Sequence, residues 1–267
     1  MKMKVRDIAA VIEEFAPLGL QESFDNSGLL VGRPDDEVGS VLLCVDITEA
    51  VMDEAESTGA DMVVAHHPVI FQPLRSLTDA NYVERVVARA VRAGIALYAS
   101  HTNLDAAHNG LSFRLAEILG VERPRVLSPM SPSKPDCPTV GFGIVGELAG
   151  AMPTEEFLRH AMLRLSIKSL RHSDFHTPQV QRIALCSGSG SSQIESAVGA
   201  GADIFLAADL RYNNFLDAAG RITIADIGHF ESEYCAIDVL RDVISKKMPT
   251  FVVRTSVNSR NPVNYLV

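Results

Sequence analysis

The sequence has few cysteines, and their spacing does not fit a disulfide framework or a zinc finger. The 267 residues contain four, at Cys44, Cys137, Cys186 and Cys235, which lie far apart and form no CxxC pair. Cys44 and Cys186 lie in apolar, strand-like stretches, where a small buried thiol is the ordinary interpretation. The sequence therefore predicts a chain without disulfides, which is typical of a reducing compartment.

An excess of positive charge is also absent. The 24 Lys and Arg residues are outnumbered by 33 Asp and Glu residues, so the formal net charge is −9. Nucleic-acid binding requires a concentrated cationic surface that neutralises phosphates. The charge balance therefore argues against a nucleic-acid partner, although it is compatible with a local basic patch.

Long apolar runs are absent as well. The first residues, MKMKVRDIAAVIEEFAPLGL, have a basic start but are interrupted by Asp7, Glu13 and Glu14. They therefore lack the apolar core of a signal peptide. No stretch approaches the roughly 20 apolar residues that a membrane-spanning helix needs. These absences predict a cytoplasmic protein with no membrane partner.

What the sequence does contain is a repeated alternation of short apolar strands with helical patterns, the last of them at residues 231–246. Such alternation indicates parallel sheets covered by helices on both faces. We therefore predict an α/β fold of two lobes with largely parallel sheets. The strand patterns cover residues 41–48, 61–67 and 95–101 in the first region and 183–190, 202–209, 222–229 and 250–256 in the second.

A proline-rich stretch separates the two regions. Residues 128–138, SPMSPSKPDCP, contain four prolines and predict a linker or an extended loop. We predict a single domain over residues 1–267, with an N-terminal lobe of about 1–127 and a C-terminal lobe of about 139–267. An inserted strand–helix–strand unit after the linker is an equally fair description.

Potential metal ligands follow several of the predicted strands. His66 and His67 end one strand pattern, His101 ends the next, and His229 ends another. Asp105 comes just after His101. Because ligands of open α/β sheets bind beyond the carboxyl ends of the strands, we expect these side chains at a site between the lobes.

The spacing of these residues is compatible with metal binding. At a strand end, the following turn can direct His66 and His67 into one cleft, whereas in a continuing strand they would point to opposite faces. His229 and Glu233 are four residues apart and share a helix face, whereas Glu231 points away. Imidazole and carboxylate ligands suit Zn, Fe, Mn and similar ions.

The alternative interpretation is that these histidines are ordinary polar residues. A single histidine at a strand end is more often a surface or hydrogen-bonded residue than a metal ligand. Two imidazoles ending a buried strand need polar partners, which either role provides. On spacing alone, both interpretations stay open for the residues above. The other histidines we assign to the ordinary class: His108, His160, His172 and His176.

Two loops contain possible binding groups. Residues 186–194, CSGSGSSQI, form a Gly/Ser-rich loop that either cradles a phosphate on backbone N–H groups or is a tight turn with a serine cap. It lacks the lysine and the glycine spacing of nucleotide-binding loops. Residues 25–32, DNSGLLVG, predict a turn entering a strand, from which Asp25 and Asn26 can face the site.

Four ordered segments resemble the Nif-three-like family, many of whose members carry the label GTP cyclohydrolase I type 2 homologue. The likeness covers nearly the whole chain, and four motifs in order are far more specific than any one of them. The chain is too short for the large central insertion that some members carry. The segments are SFDNSGLLVG at 23–32, VVAHHPVIF at 63–71, SHTNLDAAHNGLS at 100–112 and DIGHFESEY at 226–234.

The resemblance implies a dinuclear site for two divalent metal ions (Zn, Fe or Mn), with Asp105 or Glu233 as the bridging ligand. It places His101 beside this site, where we expect a general acid or base. It also implies a ring-shaped homohexamer, a trimer of dimers. The positions that match the family's ligands are His66, His67, Asp105, His229 and Glu233.

These features predict a metal-dependent hydrolase of a small phosphorylated or nucleotide-like substrate, and GTP cyclohydrolase-type activity is a narrower version. The alternative is a non-enzymatic metal-binding or metal-trafficking protein that acts as an oligomeric interaction platform. One departure from the family is that Asn213 and Asn214 stand where many members have histidine. An amide cannot shuttle a proton near neutral pH, so any acid–base role of those positions is in doubt.

Overall fold

The computed structural model of the chain describes residues 2–130 and 139–266. It confirms the α/β class. The strands are β1 (Met3–Lys4), β2 (Gly28–Val31), β3 (Glu37–Val38), β4 (Ser40–Cys44), β5 (Met62–Ala65), β6 (Ala96–Ala99), β7 (Glu122–Pro129), β8 (Gly141–Pro153), β9 (Arg171–His172), β10 (Gln179–Ser189), β11 (Ile204–Ala208), β12 (Thr223–Asp226) and β13 (Val252–Thr255).

The helices alternate with these strands along most of the chain, and two further 3-10 turns lie at Leu18–Leu20 and Ser191–Gln193. The helices are α1 (Val5–Phe15), α2 (Glu49–Thr58), α3 (Tyr82–Ala93), α4 (Thr102–Ala106), α5 (Leu111–Leu119), α6 (Thr154–Arg164), α7 (Ile194–Gly199), α8 (Tyr212–Ala218), α9 (His229–Glu233) and α10 (Ala236–Lys247).

The chain forms two compact units. The first contains Met1–Ala107 with Ala236–Arg260, and the second contains His108–Cys235 with Asn261–Val267. This division differs from the predicted lobes, which were separated at residues 128–138. Ser128 and Pro129 belong to β7. Residues 131–138 of the predicted linker lie outside the described part of the chain, so the linker stays a prediction.

The first unit is built on a five-stranded sheet in the order β13-β4-β5-β6-β2. Neighbouring strands are parallel except β2, which is antiparallel to β6. The largely parallel sheet predicted from the apolar runs is therefore present here. One assignment was wrong, because β13 was predicted in the second lobe but pairs with β4, with Val252 opposite Ser40.

Local capping explains where the two helices that cover this sheet begin and end. The Thr48 hydroxyl accepts a hydrogen bond from the backbone of Val51 at the start of α2, and Gly59 ends that helix in the left-handed conformation. The same arrangement recurs in α3, which Asn81 caps at its start and Gly94 caps at its end. Apolar residues of both helices then pack on one face of β4, β5 and β6 in a continuous core.

The second unit contains a six-stranded sheet in the order β7-β8-β10-β11-β12-β9. Among its described strands, only the pairings of β10 with β11 and of β11 with β12 are parallel. The prediction of a largely parallel sheet therefore needs correction in this unit. The segment after residue 138 forms the long strand β8, which pairs antiparallel with both β7 and β10.

Helices cover both faces of this second sheet. Ile183 and Leu185 of β10 pack with α5 and α6, whereas Ala184 and Cys186 face the opposite core with α7. This alternation explains why the strand appears as an uninterrupted apolar run. Among the described residues, Cys44, Cys186 and Cys235 are buried. Cys137 lies outside the described residues, and no described helix is long and apolar enough to cross a membrane.

Candidate metal centre

The first cluster of potential ligands lies at the carboxyl ends of β5 and β6, within the first unit. His66 and His67 follow β5 directly, and their backbone N–H groups donate to Cys44 and Val45 at the end of β4. His101 follows β6 and precedes α4. The predicted delivery of imidazoles to one sheet edge is therefore observed for these three histidines.

The three imidazoles lie against one another. One ring nitrogen from each of His66, His67 and His101 lies within 4.8 Å of the others. Asp105 joins them, with its Oδ2 atom 3.9 Å from Nε2 of His66. Asp105 lies on the short helix α4 rather than in a loop, so its carboxylate is carried by a defined turn. We call these four residues the first cluster.

Hydrogen bonds at Nδ1 orient two of these rings. Nδ1 of His66 lies 2.8 Å from the carbonyl oxygen of Ser100. Nδ1 of His67 lies 2.8 Å from Oδ1 of Asp46, which follows β4. An acceptor at Nδ1 keeps the proton on that nitrogen and places the lone pair of the neutral ring on Nε2. Histidines that bind metals are oriented by such partners.

Asp25 orients His101 in the same way. Its Oδ1 atom lies 2.7 Å from Nδ1 of His101, and its other oxygen accepts from the backbone N–H of Thr102 at 3.0 Å. Burial alone would raise the pKa of Asp25, but hydrogen bonds from His101 and Thr102 outweigh it and hold the pKa well below its usual range. Asp25 is therefore a stable carboxylate, and the sequence prediction that it can face the site is consistent with this contact.

The second cluster lies in the second unit, on α9. Nε2 of His229 is 2.9 Å from Oε2 of Glu233, as the four-residue spacing predicted. Two ligand atoms about 2.1 Å from one metal ion and at right angles are separated by about 3 Å, so this spacing suits a shared ion. Glu231 turns elsewhere, because its Oε1 atom accepts from the Asn261 side chain at 2.9 Å.

His229, like the other clustered histidines, has an oxygen acceptor at Nδ1. Its Nδ1 atom lies 2.8 Å from Oδ2 of Asp209, which follows β11 and has a φ of 55°. Each of the four histidines therefore has an oxygen atom at hydrogen-bonding distance from its Nδ1 atom. Sequence reasoning missed Asp46 and Asp209, although the rule applied to the histidines also finds them: both follow the carboxyl end of a parallel strand.

The Gly/Ser-rich segment at 186–194 covers the end of β10 and the 3-10 turn at Ser191–Gln193, and it is not an open phosphate cradle. The N–H of Gly188 donates to the Ser232 hydroxyl at 3.0 Å, and the N–H of Gly190 donates to the Ala208 carbonyl at 3.3 Å. These donors are used within the fold. The loop instead lies beside the second cluster, since a side chain at Gly188 would overlap Glu233.

The remaining predicted positions have structural roles. His172 places Nδ1 2.8 Å from the Ser173 carbonyl, and the ring of His108 contacts that of Phe113. The Asn214 side chain accepts from the backbone of Arg211 at 2.8 Å and caps the start of α8. That cap gives a physical reason for an amide at one of the two positions where the family resemblance predicts histidine.

An Asp46→Asn variant is expected to bind divalent metal about 10- to 100-fold more weakly than the wild-type chain. The amide can present an N–H to Nδ1 of His67, which favours the wrong tautomer for a ligand at Nε2. Competition with a chromophoric chelator measures the change. The matched control is Asp174→Asn at an exposed position, and equal affinities of the two variants would contradict the orienting role.

Comparison with known proteins places this chain in a family. A Clostridium perfringens protein named GTP cyclohydrolase 1 type 2 homolog is 32% identical over 251 residues, which cover 94% of each chain. A Campylobacter jejuni protein of the same name is 32% identical and covers 98% of this chain and 100% of its own. The solved Staphylococcus aureus hypothetical protein SA1388 has a TM-score of 0.90 and 28% identity, covering 99% of each chain.

The family model described as Duf34/NIF3 (NGG1p interacting factor 3) matches residues 3–262. This match extends over nearly the whole chain and includes all four of the motifs on which the resemblance rested. The resemblance is confirmed, and the chain belongs to the Duf34/NIF3 family.

Proposed function

We propose that this chain is a metal-dependent hydrolase that binds two divalent ions and acts on a small phosphorylated or nucleotide-like substrate. The observation that carries the proposal is the oxygen acceptor at Nδ1 of every clustered histidine. This is the arrangement by which proteins present imidazole Nε2 to a metal. The proposed protein ligands are His66, His67, Asp105, His229 and Glu233.

The donor chemistry fits divalent transition metals. Imidazole nitrogen and carboxylate oxygen are ligands suited to Zn, Fe or Mn, and no cysteine belongs to the groups of described residues that could hold a metal. When bound, a pair of such ions supplies an activated water and stabilises the negative charge that develops during hydrolysis.

His101 is the proposed general acid or base. Asp25 holds its Nδ1 proton, so the lone pair on Nε2 can accept a proton from the nucleophile and deliver it to the leaving group. Asp25 also stabilises the imidazolium that forms after proton uptake, because the carboxylate stays ionised. In this role only Nε2 gains and loses a proton, since Nδ1 stays hydrogen-bonded to Asp25 throughout.

An aromatic surface beside His101 favours a planar group on the substrate. The ring of Phe71 lies 6.2 Å from the His101 ring and 6.3 Å from the ring of Phe24. Phe24 and Phe71 are 62% and 41% exposed, although burial would be expected for side chains of this size. Exposed aromatic faces are suited to stacking on a nucleotide base.

The experiment is an assay of metal-reconstituted protein against phosphoesters, nucleotides and cyclic amides, with formate release from GTP as a separate reading. The formate assay addresses the activity for which the relatives are named. We expect turnover with at least one of Zn, Fe and Mn, abolished by chelation and restored by the metal. His101→Asn should lower kcat while leaving metal binding intact.

Two different results would contradict two different parts of this proposal, the enzymatic activity and the ligand set. Stoichiometric metal binding without turnover for any substrate would favour the non-enzymatic alternative, a metal-binding or metal-trafficking protein. Turnover that persists unchanged in a His67→Ala variant would contradict the proposed ligand set. The homohexamer implied by the resemblance stays a prediction, and light scattering should then give the mass of six chains in solution.

A further inference from the structure

A basic cavity on the sheet of the second unit is not used by the proposed metal chemistry. Its volume is about 240 Å³. Three of its lining side chains are guanidiniums and one is a carboxylate, in a chain whose net charge is −9. Such a local excess of positive charge attracts an anion. The lining residues are Arg123, Arg125, Val145, Gly146, Glu147 and Arg182.

The register of the sheet brings two of the arginines together. Arg125 of β7 lies opposite Val145 of β8, and Arg182 of β10 lies opposite Glu147 of β8. Opposed residues, and residues two apart on one strand, share a face of the sheet. Arg125 and Arg182 therefore project from the same face, on either side of β8.

The third arginine comes from an irregularity in β7. The register of β7 with β8 shifts between Glu122 and Arg125, and Arg123 within that bulge has a φ of 50°. Bulges redirect side chains. Arg123 donates to Oε2 of Glu147 at 2.8 Å, so one of the three positive charges is paired and two are left.

Within the described part of the chain, the guanidiniums of Arg125 and Arg182 are not paired in this way. Among residues 2–130 and 139–266, no carboxylate forms an ion pair with Arg125 or Arg182. The Nε atom of Arg182 is buried and has no hydrogen-bond partner among them. Asp203 lies near but is engaged, because it accepts from the backbone N–H groups of Gln181 and Arg182 at 2.8 Å. A buried donor without an acceptor is unfavourable, and an oxyanion would satisfy it.

We propose that this cavity binds the phosphoryl or pyrophosphoryl group of a small soluble ligand. Guanidinium groups bind phosphate oxygens through two parallel hydrogen bonds. The two that have no carboxylate partner among the described residues match a doubly charged group. The volume is below the roughly 300–1,000 Å³ of pockets that enclose a whole small ligand. The cavity therefore suits an anionic head group whose remaining atoms stay in solvent.

This site is separate from the second cluster. Arg182 precedes Gly188 by six residues on β10, and Gly188 lies against Glu233. At about 3.3 Å per strand residue, the Cα atoms of Arg182 and Gly188 are separated by up to about 20 Å. One phosphoryl group cannot contact both, so the proposal goes beyond the hydrolase site to a second binding site.

Calorimetric titration of the metal-depleted full chain with inorganic pyrophosphate, and separately with inorganic phosphate, tests the proposal. We expect one site per chain and an affinity that falls as salt is added. Arg182→Gln and Arg125→Gln should each weaken binding at least about tenfold. Arg182→Lys keeps the positive charge but lacks the planar guanidinium with its paired N–H donors. This variant should therefore lose part of the affinity for pyrophosphate.

The control is Arg92→Gln, at an exposed position in the first unit, which should bind as the wild type does. Arg125 is exposed on the edge strand β7, so its variant keeps the test informative if Arg182→Gln does not fold. Metal-depleted protein makes the result independent of the proposed hydrolase activity. No pyrophosphate binding, equal binding by all variants, or binding only to vesicles of phosphatidic acid and phosphatidylcholine would overturn the proposal.

Discussion

A His67→Ala variant is expected to bind divalent metal more than about 100-fold more weakly than the wild-type chain. Losing a residue that merely orients a ligand already costs about 10- to 100-fold, and the change here removes the proposed ligand itself. The side chain of His67 is 23% exposed, so its truncation leaves no sealed cavity and the variant should still fold. Chelator competition and elemental analysis measure the loss, with two ions per chain expected in the wild type.

The matched control for this prediction is His176→Ala. His176 is exposed, and its side chain belongs to no group of described residues that could hold a metal. Both variants should show the far-UV circular dichroism of the wild type. If His67→Ala retained both ions at wild-type affinity, the proposed metal centre would be wrong.

Gly188→Ala is the second change with a large expected effect. Gly188 has a φ of 59°, and a methyl group there would overlap the Glu233 carboxylate. The strained backbone and the displaced carboxylate together should lower the free energy of unfolding by about 2–4 kcal/mol. Because the displaced group is a proposed ligand, metal affinity should also fall by at least about tenfold. Urea denaturation of the metal-free protein and chelator competition separate the two effects.

Gly201→Ala provides the matched control for Gly188→Ala. Gly201 has a φ of 67°, but an added methyl group would meet none of the described atoms within 4 Å. The backbone cost of about 1 kcal/mol should therefore appear without a change in metal affinity. If both variants lost metal affinity equally, the contact with Glu233 would not be the cause.

The positions of the first-cluster histidines could be predicted because they depend on local patterns. An apolar run ended by His66 and His67 predicts a buried strand with two imidazoles at its carboxyl end, and β5 ends just before them. The pairing of His229 with Glu233 follows from helical spacing alone. The Asp–His contacts could not be predicted in this way, because Asp25 and His101 are 76 residues apart in the sequence.

The helix predicted over residues 231–246 shows the limit of periodicity. Its apolar pattern continues across a break, since α9 ends at Glu233 and α10 begins at Ala236. The chain passes from the second unit to the first at that break. Periodicity reports which face of a segment is apolar, but it contains no information about which core that face enters.

The sequence by itself determined the α/β class, most strands and helices, and which imidazoles and carboxylates end them, since apolar periodicity, caps and turns act within a few residues. Only the tertiary structure decided that β13 pairs with β4 and that the second sheet is mixed. It also decided that Asp46, Asp25 and Asp209 orient the histidines. Those outcomes depend on contacts between residues distant in the chain, and a strand's own pattern does not specify its neighbour.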